Sequence, residues 1–419
     1  MNEWLKKNVV SPVWWGAKKL PPAAALIDLR TDKFYNEWIP SVYHTYARKA
    51  LDERKVVLIE NQPKGLGSAF SLLARDLEKN GSYRVHIHNI GNGLLPRKEW
   101  EKNSARMAAD VADAKYVFLS EACGALSCLP LRSGTIVTQL WHGCGAFKKF
   151  GRSTMDLKFG MDQKHADRHP LYRNYTYVTV SSPEVKWAYE QAMGLEAQPD
   201  VVRPVGVSRT DVFFQERFRT EALDRVFDKV PQARGKKIFL YAPTFRGRIA
   251  LAETPDYTQF DLRALRGALG EDALIFVKHH PNVSASRIPK IPEDLEGCFA
   301  VDVTKLLPVE DLMCAADVCI TDYSSLIFEY SLLDKPLVFY AFDLEEYGGW
   351  RGFYYDFSEL TPGPVCTNME ALCACLAQAG DAYDREKLRA FRQKFMSSCD
   401  GRSTSRIEQM VFGADLAGE

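Results

Sequence analysis

The sequence predicts a two-lobed α/β protein, on three observations. At 419 residues the chain is longer than one ordinary core organises and fits two domains of roughly 150–200 residues. Short β-branched runs alternate with amphipathic helical patterns, which is how parallel sheets wrapped by helices read. The alternation comes in two series that divide near residue 210. Two Rossmann-like lobes of this kind bring the carboxyl ends of their strands to a central cleft, where ligands bind among the loops.

The first series opens with Lys55-Val-Val-Leu-Ile59, a buried strand. It passes through Pro63, Gly65 and Gly67 into a helix with Phe70, Leu73 and Leu77 on one face and Ser68 as its N-cap. Further strands are expected at 83–88, 116–120, 135–140, 177–181 and 201–207. In the second series they are expected at 237–241, 274–278, 317–321 and 336–340. Residues 215–235 read as a helix and a connector carrying Pro231 and Gly235. The expected organisation is an N-terminal segment 1–50, an acceptor-binding lobe 51–210, a donor-binding lobe 211–380, and a C-terminal part 381–419. The helix near 386–395 in that last part crosses back to the first lobe.

Composition narrows the function. The formal net charge is zero, which speaks against a nucleic-acid partner. Ten cysteines show no paired C-x-x-C spacing and sit mostly in apolar runs, so reduced core residues are expected and no structural metal. No secretory signal and no stretch of ~20 apolar residues is visible. Trp4, Trp14 and Trp15 with Lys6 and Lys7 are consistent with either an interfacial membrane contact or packing on the first lobe.

Polar residues at strand ends carry the candidate chemistry. His142 in Trp141-His-Gly143 ends the 135–140 strand. Gly143 and Gly145 allow a sharp turn and close approach, and a histidine there can take a proton near neutral pH. Lys148 and Lys149 open a basic stretch reaching Arg173, suited to an anionic acceptor or lipid head groups, or to a solvated helix face. Arg246 ends the 237–241 strand, and a planar guanidinium suits a diphosphate. His279 and His280 follow the 274–278 strand. Adjacent residues there point opposite ways, which argues against shared zinc and leaves His280 as a donor to phosphate. Asp317–Thr321, then Asp322-Tyr-Ser-Ser325, then Leu326–Leu333 read as strand, turn and helix. Ser324 or Ser325 caps that helix and leaves amides facing an anion, with Glu329 one turn further in.

These blocks together resemble the CDP-glycerol glycerophosphotransferase family, the enzymes that prime and polymerise teichoic acids. The matching pieces, in order over roughly residues 135–360, are Trp141-His-Gly143 with Lys148-Lys149, Ala242-Pro-Thr-Phe-Arg246, His280-Pro281 and Thr321-Asp-Tyr-Ser-Ser-Leu-Ile-Phe-Glu329. Asp334-Lys-Pro336, the Asp343–Tyr347 stretch and Arg351-Gly-Phe-Tyr354 resemble its closing blocks. The resemblance implies a glycosyltransferase-B-like fold and CDP-glycerol as donor substrate, with no further cofactor. It implies a lipid-linked saccharide or glycopolymer acceptor and a place on the inner face of the cytoplasmic membrane. His142 would be the general base, with His280 also at the reacting centre. Arg246, His280, Thr321, Ser324 and Ser325 would hold the diphosphate, Asp322 would belong to the same turn, and Glu329 would lie near the ribose. Lys148 and Lys149 would meet anionic substrate.

The sequence departs from the family at Cys144-Gly-Ala-Phe147, where a Thr-Pro-Leu-like stretch is usual, and at the extra His279. The long N-terminal extension of the large polymerases is not seen, which favours a primase or short-transfer enzyme. Two other readings compete: a glycosyltransferase of the same fold using a UDP- or GDP-sugar, and a non-catalytic scaffold at the membrane surface.

Overall fold

The computed structural model describes residues 28–157, 160, 162–247, 252–378, 383–414 and 416. Trp4, Trp14, Trp15, Lys6 and Lys7 lie outside the described residues. The chain divides into two compact units. One takes its described residues up to 67, with 77–139 and 164–176. The other takes 68–76, 140–163 and 177 onward.

The first unit is built on four parallel strands, β1 (Asp52–Glu60), β2 (Arg84–Asn89), β3 (Ala114–Leu119) and β4 (Ile136–Gln139), in the order β2-β1-β3-β4. Val56 to Leu58 and Val117 to Leu119 have no exposed surface, as expected where helices cover both faces of a parallel sheet. Helix Arg97–Val111 supplies part of that cover, burying Ser104, Met107, Ala108 and Val111.

The second unit contains a short parallel pair, β5 (Tyr177–Thr179) and β6 (Val202–Arg203). Its main sheet holds β7 (Lys237–Tyr241), β8 (Ala273–Val277), β9 (Ala300–Asp302), β10 (Val318–Thr321), β11 (Leu337–Tyr340) and β12 (Val365–Cys366). Their order is β12-β11-β10-β7-β8-β9, all parallel. Phe239, Ile275, Val318 and Ile320 from these strands meet Leu265, Phe299 and Leu372 in one core. The chain runs outward from β7 to β9, then returns to β10 on the other side. The β7–β10 boundary is therefore the topological switch point, where such sheets bind ligands.

The expected α/β class with two parallel sheets is what the chain adopts. Strands β9 and β12 were not anticipated. At three and two residues they are too short to show a period. The helix after Pro63 begins at Ser71, and Ser68 serves it through its carbonyl, which accepts from the Ser71 amide and hydroxyl. All ten cysteines are free thiols, six of them buried. No described helix is long and apolar enough to cross a membrane. The helix Arg385–Phe395 lays Phe391 and Phe395 on Phe328, and its Phe395 carbonyl accepts from Ser181.

Candidate active site

The site lies in the second unit, at the carboxyl ends of β7, β8 and β10. The loop carrying His142 packs onto it. Trp141 adopts a left-handed φ of 60°, unusual for a bulky residue, and its ring stacks on His142 with centroids 4.7 Å apart. His142 itself is exposed. Gly145 also has positive φ, 62°, and a Cβ there would lie 2.4 Å from the Phe328 ring. Only glycine lets the loop close onto the Leu326–Tyr330 helix. A Cβ built on Gly143 would come within 3.7 Å of the Ser325 hydroxyl, so the histidine loop and the β10 turn are in contact.

His280 leaves β8 and points into this region. Its Nδ1 accepts from the Asn282 amide at 3.2 Å, which leaves the ring proton on Nε2 as the available donor. Burial pushes its pKa down to about 4, and the nearby Lys148 and His142 push the same way. That shift also shows that His142 and His280 share one neighbourhood. His279 points the other way, into the core beside the Tyr257 hydroxyl, as alternation at a strand end requires.

Lys148 is held by a backbone bridge to Phe353. Its ammonium makes no hydrogen bond or ion pair with a described residue. Burial pushes its pKa down to about 7. Arg351 and Arg246 oppose the proton, and Asp322 only partly offsets them. Such a gathering of cations has room for an anion. The Lys149 amide donates to the Gly352 carbonyl, and its aliphatic stem lies over Gly352.

The β10 turn is braced from within. Thr321 Oγ1 donates to the Ala242 carbonyl at 2.7 Å. Asp322 Oδ1 accepts from the Thr244 amide and hydroxyl and from the Tyr323 amide. Arg246 is the centre of this brace. It makes bidentate hydrogen bonds to Asp343 at 2.6 and 3.0 Å and reaches the Thr244 carbonyl and hydroxyl. An ion contact to Asp322 at 3.0 Å completes the set. Tyr323 and Tyr347 lie against its guanidinium plane. The Arg246 donors are thus spent on the protein in this structure. Arg246 also lines a groove of about 720 Å³ shared with Asp256, Gln259, Asp343, Tyr347 and Trp350.

Ser324 caps the short helix by accepting from the Leu326 amide at 3.3 Å. Ser325 already has helical geometry, and its hydroxyl bonds no described residue. Glu329 is buried and faces Arg209, Nε to Oε1 2.8 Å, in an ion pair off hydrogen-bond geometry. Arg209 also pairs with Glu310 at 3.0 Å and donates to the His142 carbonyl. Burial pushes the Glu329 carboxyl up to about 7, with Arg209 pulling it down and Glu310 up. Glu329 is thus linked through Arg209 to the backbone of the His142 loop.

The structure brings His142, His280, Lys148, Ser324 and Ser325 into one neighbourhood. Arg246, Thr321, Asp322 and Glu329 are held by bonds within the protein. The basic stretch beyond Lys148 does not form one patch. Arg168 and His169 pair with Asp32 in the first unit. Arg209 was missed by sequence reasoning, while Asp343 and Arg351 were named within the closing blocks but given no role. Arg209 follows Gly206-Val-Ser at the end of β6, and that strand-end position was its signal.

The profile of the family described as CDP-Glycerol:Poly(glycerophosphate) glycerophosphotransferase matches residues 41–413. The chain belongs to this family. Within it, the chain is 32% identical over 360 residues to a teichoic acid ribitol-phosphate primase of Bacillus spizizenii, covering 85% of this chain and 90% of that protein. It is 31% identical over 287 residues to a teichoic acid glycerol-phosphate primase of Bacillus subtilis, 68% of this chain and 70% of that one. A poly(ribitol-phosphate) polymerase of Bacillus spizizenii aligns with 93% of this chain, which spans 62% of the polymerase. A solved structure of the wall teichoic acid polymerase TagF superposes with a TM-score of 0.73 at 21% identity. It covers 96% of this chain and 98% of that chain, and extends the family likeness to the fold.

Proposed function

We propose that this glycerophosphotransferase-family enzyme moves a polyol phosphate, glycerol or ribitol, from its CDP-activated form to a hydroxyl on a membrane-linked glycopolymer, releasing CMP. His142 takes the proton of the acceptor hydroxyl, whose oxygen attacks the β-phosphorus of the donor. The bond to the α-phosphate bridge oxygen breaks, and CMP leaves with the electron pair. Lys148, His280 Nε2 and the Ser325 hydroxyl face the phosphate oxygens and stabilise the charge that develops there. The observation that carries this reading is the Lys148 ammonium, without a partner among the described residues, close to His280, with cations Arg351 and Arg246 beside it. The naming of ribitol- and glycerol-phosphate primases among the relatives supports both polyols.

The test is a donor panel of CDP-glycerol, CDP-ribitol, UDP-glucose and GDP-mannose, with nucleotide release followed by chromatography. CMP release that needs an acceptor is the expected result, and the preferred CDP-polyol identifies the donor. Release of UDP or GDP instead would make the enzyme a sugar transferase. Thermal stabilisation by none of the four, with no release, would end the transferase reading.

A further inference from the structure

We infer that Arg209 is a positioning residue for the reaction: its guanidinium pins the backbone of His142, and the imidazole keeps its place through that pin. The inference rests on the transferase reading above and deepens it. Nη1 of Arg209 donates to the His142 carbonyl. On the other edges of the same fork, Nη2 lies 3.0 Å from Glu310 Oε1 and Nε lies 2.8 Å from Glu329 Oε1. All three side chains are largely buried, where such contacts are little screened by water. A planar guanidinium presents donors in three directions at fixed angles, so two carboxylates and one carbonyl fix it fully. An ammonium on a flexible stem has no such geometry.

His142 needs such a hold. It is exposed, and Trp141 before it sits at a φ of 60°. A bulky residue persists there only when its surroundings over-determine it. Three residues on, the Gly145 amide donates to the Ser181 hydroxyl at 3.0 Å, which fastens the far side of the loop. Arg209 fastens the middle, and its own base is rigid. It stands in the 3-10 segment Ser208–Phe214 after β6. The Ser208 hydroxyl bonds that of Thr404 at 2.9 Å, and Asp211 accepts from the Ser403 and Thr404 amides that open the helix Ser403–Phe412. A long side chain held at both ends has already given up its rotamer freedom. The His142 carbonyl therefore meets a donor whose position is set before substrate arrives. Glu329 stands on the Leu326–Tyr330 helix, which follows directly on Ser324 and Ser325. Arg209 thus ties the base to the turn that faces the phosphate.

The experiment compares Arg209→Lys with the parent, using the full chain. It follows CMP release from saturating CDP-glycerol, the calorimetric Kd for CDP-glycerol, and the His142 ring resonance in histidine-labelled protein, assigned by its loss in His142→Ala. Lysine keeps the charge but cannot hold two carboxylates and a carbonyl together. Misplacing a reacting group by about 1 Å costs on the order of 100-fold, so kcat should fall by about that much. The donor Kd should stay put, and the His142 resonance should shift or broaden. Guanidinium ion, below the concentrations that unfold the chain, should restore part of the turnover of Arg209→Ala where potassium does not. If Arg209→Ala fails to fold, Arg209→Lys carries the test. Parent kcat in Arg209→Lys would overturn the inference. So would a kcat loss that only follows a smaller folded fraction while the His142 resonance stays as in the parent, since the arginine would then be structural. A donor Kd weakened in step with kcat would overturn it by making Arg209 a donor ligand. If the parent releases nucleotide from no donor, it is the transferase reading that fails. The resonance then decides alone whether Arg209 holds His142, and an unchanged one ends the inference.

Discussion

Lys148 should make donor binding depend on pH, with a size that follows from its surroundings. Its pKa without donor is about 7, well below the ordinary lysine value, because burial and Arg351 disfavour the proton. Below pH 7 the ammonium is already charged before donor binds. Above it, most of the lysines are neutral. A bound diphosphate supplies the missing countercharge and restores the proton, so binding above pH 7 must draw one from solution. At pH 8 the uptake is roughly 0.9 proton per donor, and the cost is about 1.4 kcal/mol, a tenfold weaker Kd than at pH 6.

Titration calorimetry with CDP-glycerol at pH 8, in two buffers of different ionisation enthalpy, measures that proton directly. A diphosphate diester does not itself titrate in this range. Lys148→Arg keeps its charge at all these pH values, so its affinity should be flat where the parent's falls. Subtracting its profile removes any contribution from His142. Lys148→Met should bind weakly at pH 6 and show no uptake at pH 8. No proton uptake by the parent, or equal uptake by Lys148→Arg, would refute the reasoning.

Other outcomes follow from the same geometry. His142→Ala should lose 10²–10⁴-fold in turnover while donor Kd stays put, as for a general base. Single-turnover rates beside calorimetry would expose any other pattern. Gly145→Ala forces a Cβ into the Phe328 ring at positive φ, so the urea midpoint should fall by the equivalent of about 1–3 kcal/mol. An unchanged midpoint would mean the loop does not need that approach. Because the Glu329 carboxyl is raised to about 7 from 4.5, the native state holds its proton longer than the unfolded chain. The parent should therefore lose stability as pH rises through that window, and Glu329→Gln should lack this slope.

The fold was legible wherever burial imposed a pattern. Val56 to Ile59, Ile238 to Tyr241 and Leu274 to Val277 are continuous apolar runs because parallel strands are covered on both faces. Strands β9 and β12 were not legible, since two or three residues set no period. At the site, the sequence marked strand ends, and strand ends are where His142, His280, Lys148 and Ser325 converge. What it could not show is which polar groups the protein satisfies itself. Arg246 and Glu329 are of the right types in the right places, yet their partners Asp343 and Arg209 are distant in sequence. Only the folded chain reveals that these charges are already paired.

That distinction separates two kinds of cation and yields a last test. Arg246 holds Asp343 and Thr244 by four hydrogen bonds and keeps Asp322 in place, so it shapes the turn that presents Ser324 and Ser325. A diphosphate reaching it would compete with two carboxylates that are already there. Lys148, the His280 Nε2 and the Ser325 hydroxyl face no such competition, so a phosphate gains more from them. Lysine at 246 would keep the charge but lose the fork that holds Asp343 and Thr244 together. Arg246→Lys should thus cost about 2–3 kcal/mol in urea unfolding, as expected for broken buried hydrogen bonds to charged groups, while the folded fraction keeps its donor affinity. A direct phosphate ligand would show the reverse: weakened donor binding with an unchanged unfolding midpoint. That reverse result would return Arg246 to the donor and leave the bracing of the turn to Asp322 and Asp343.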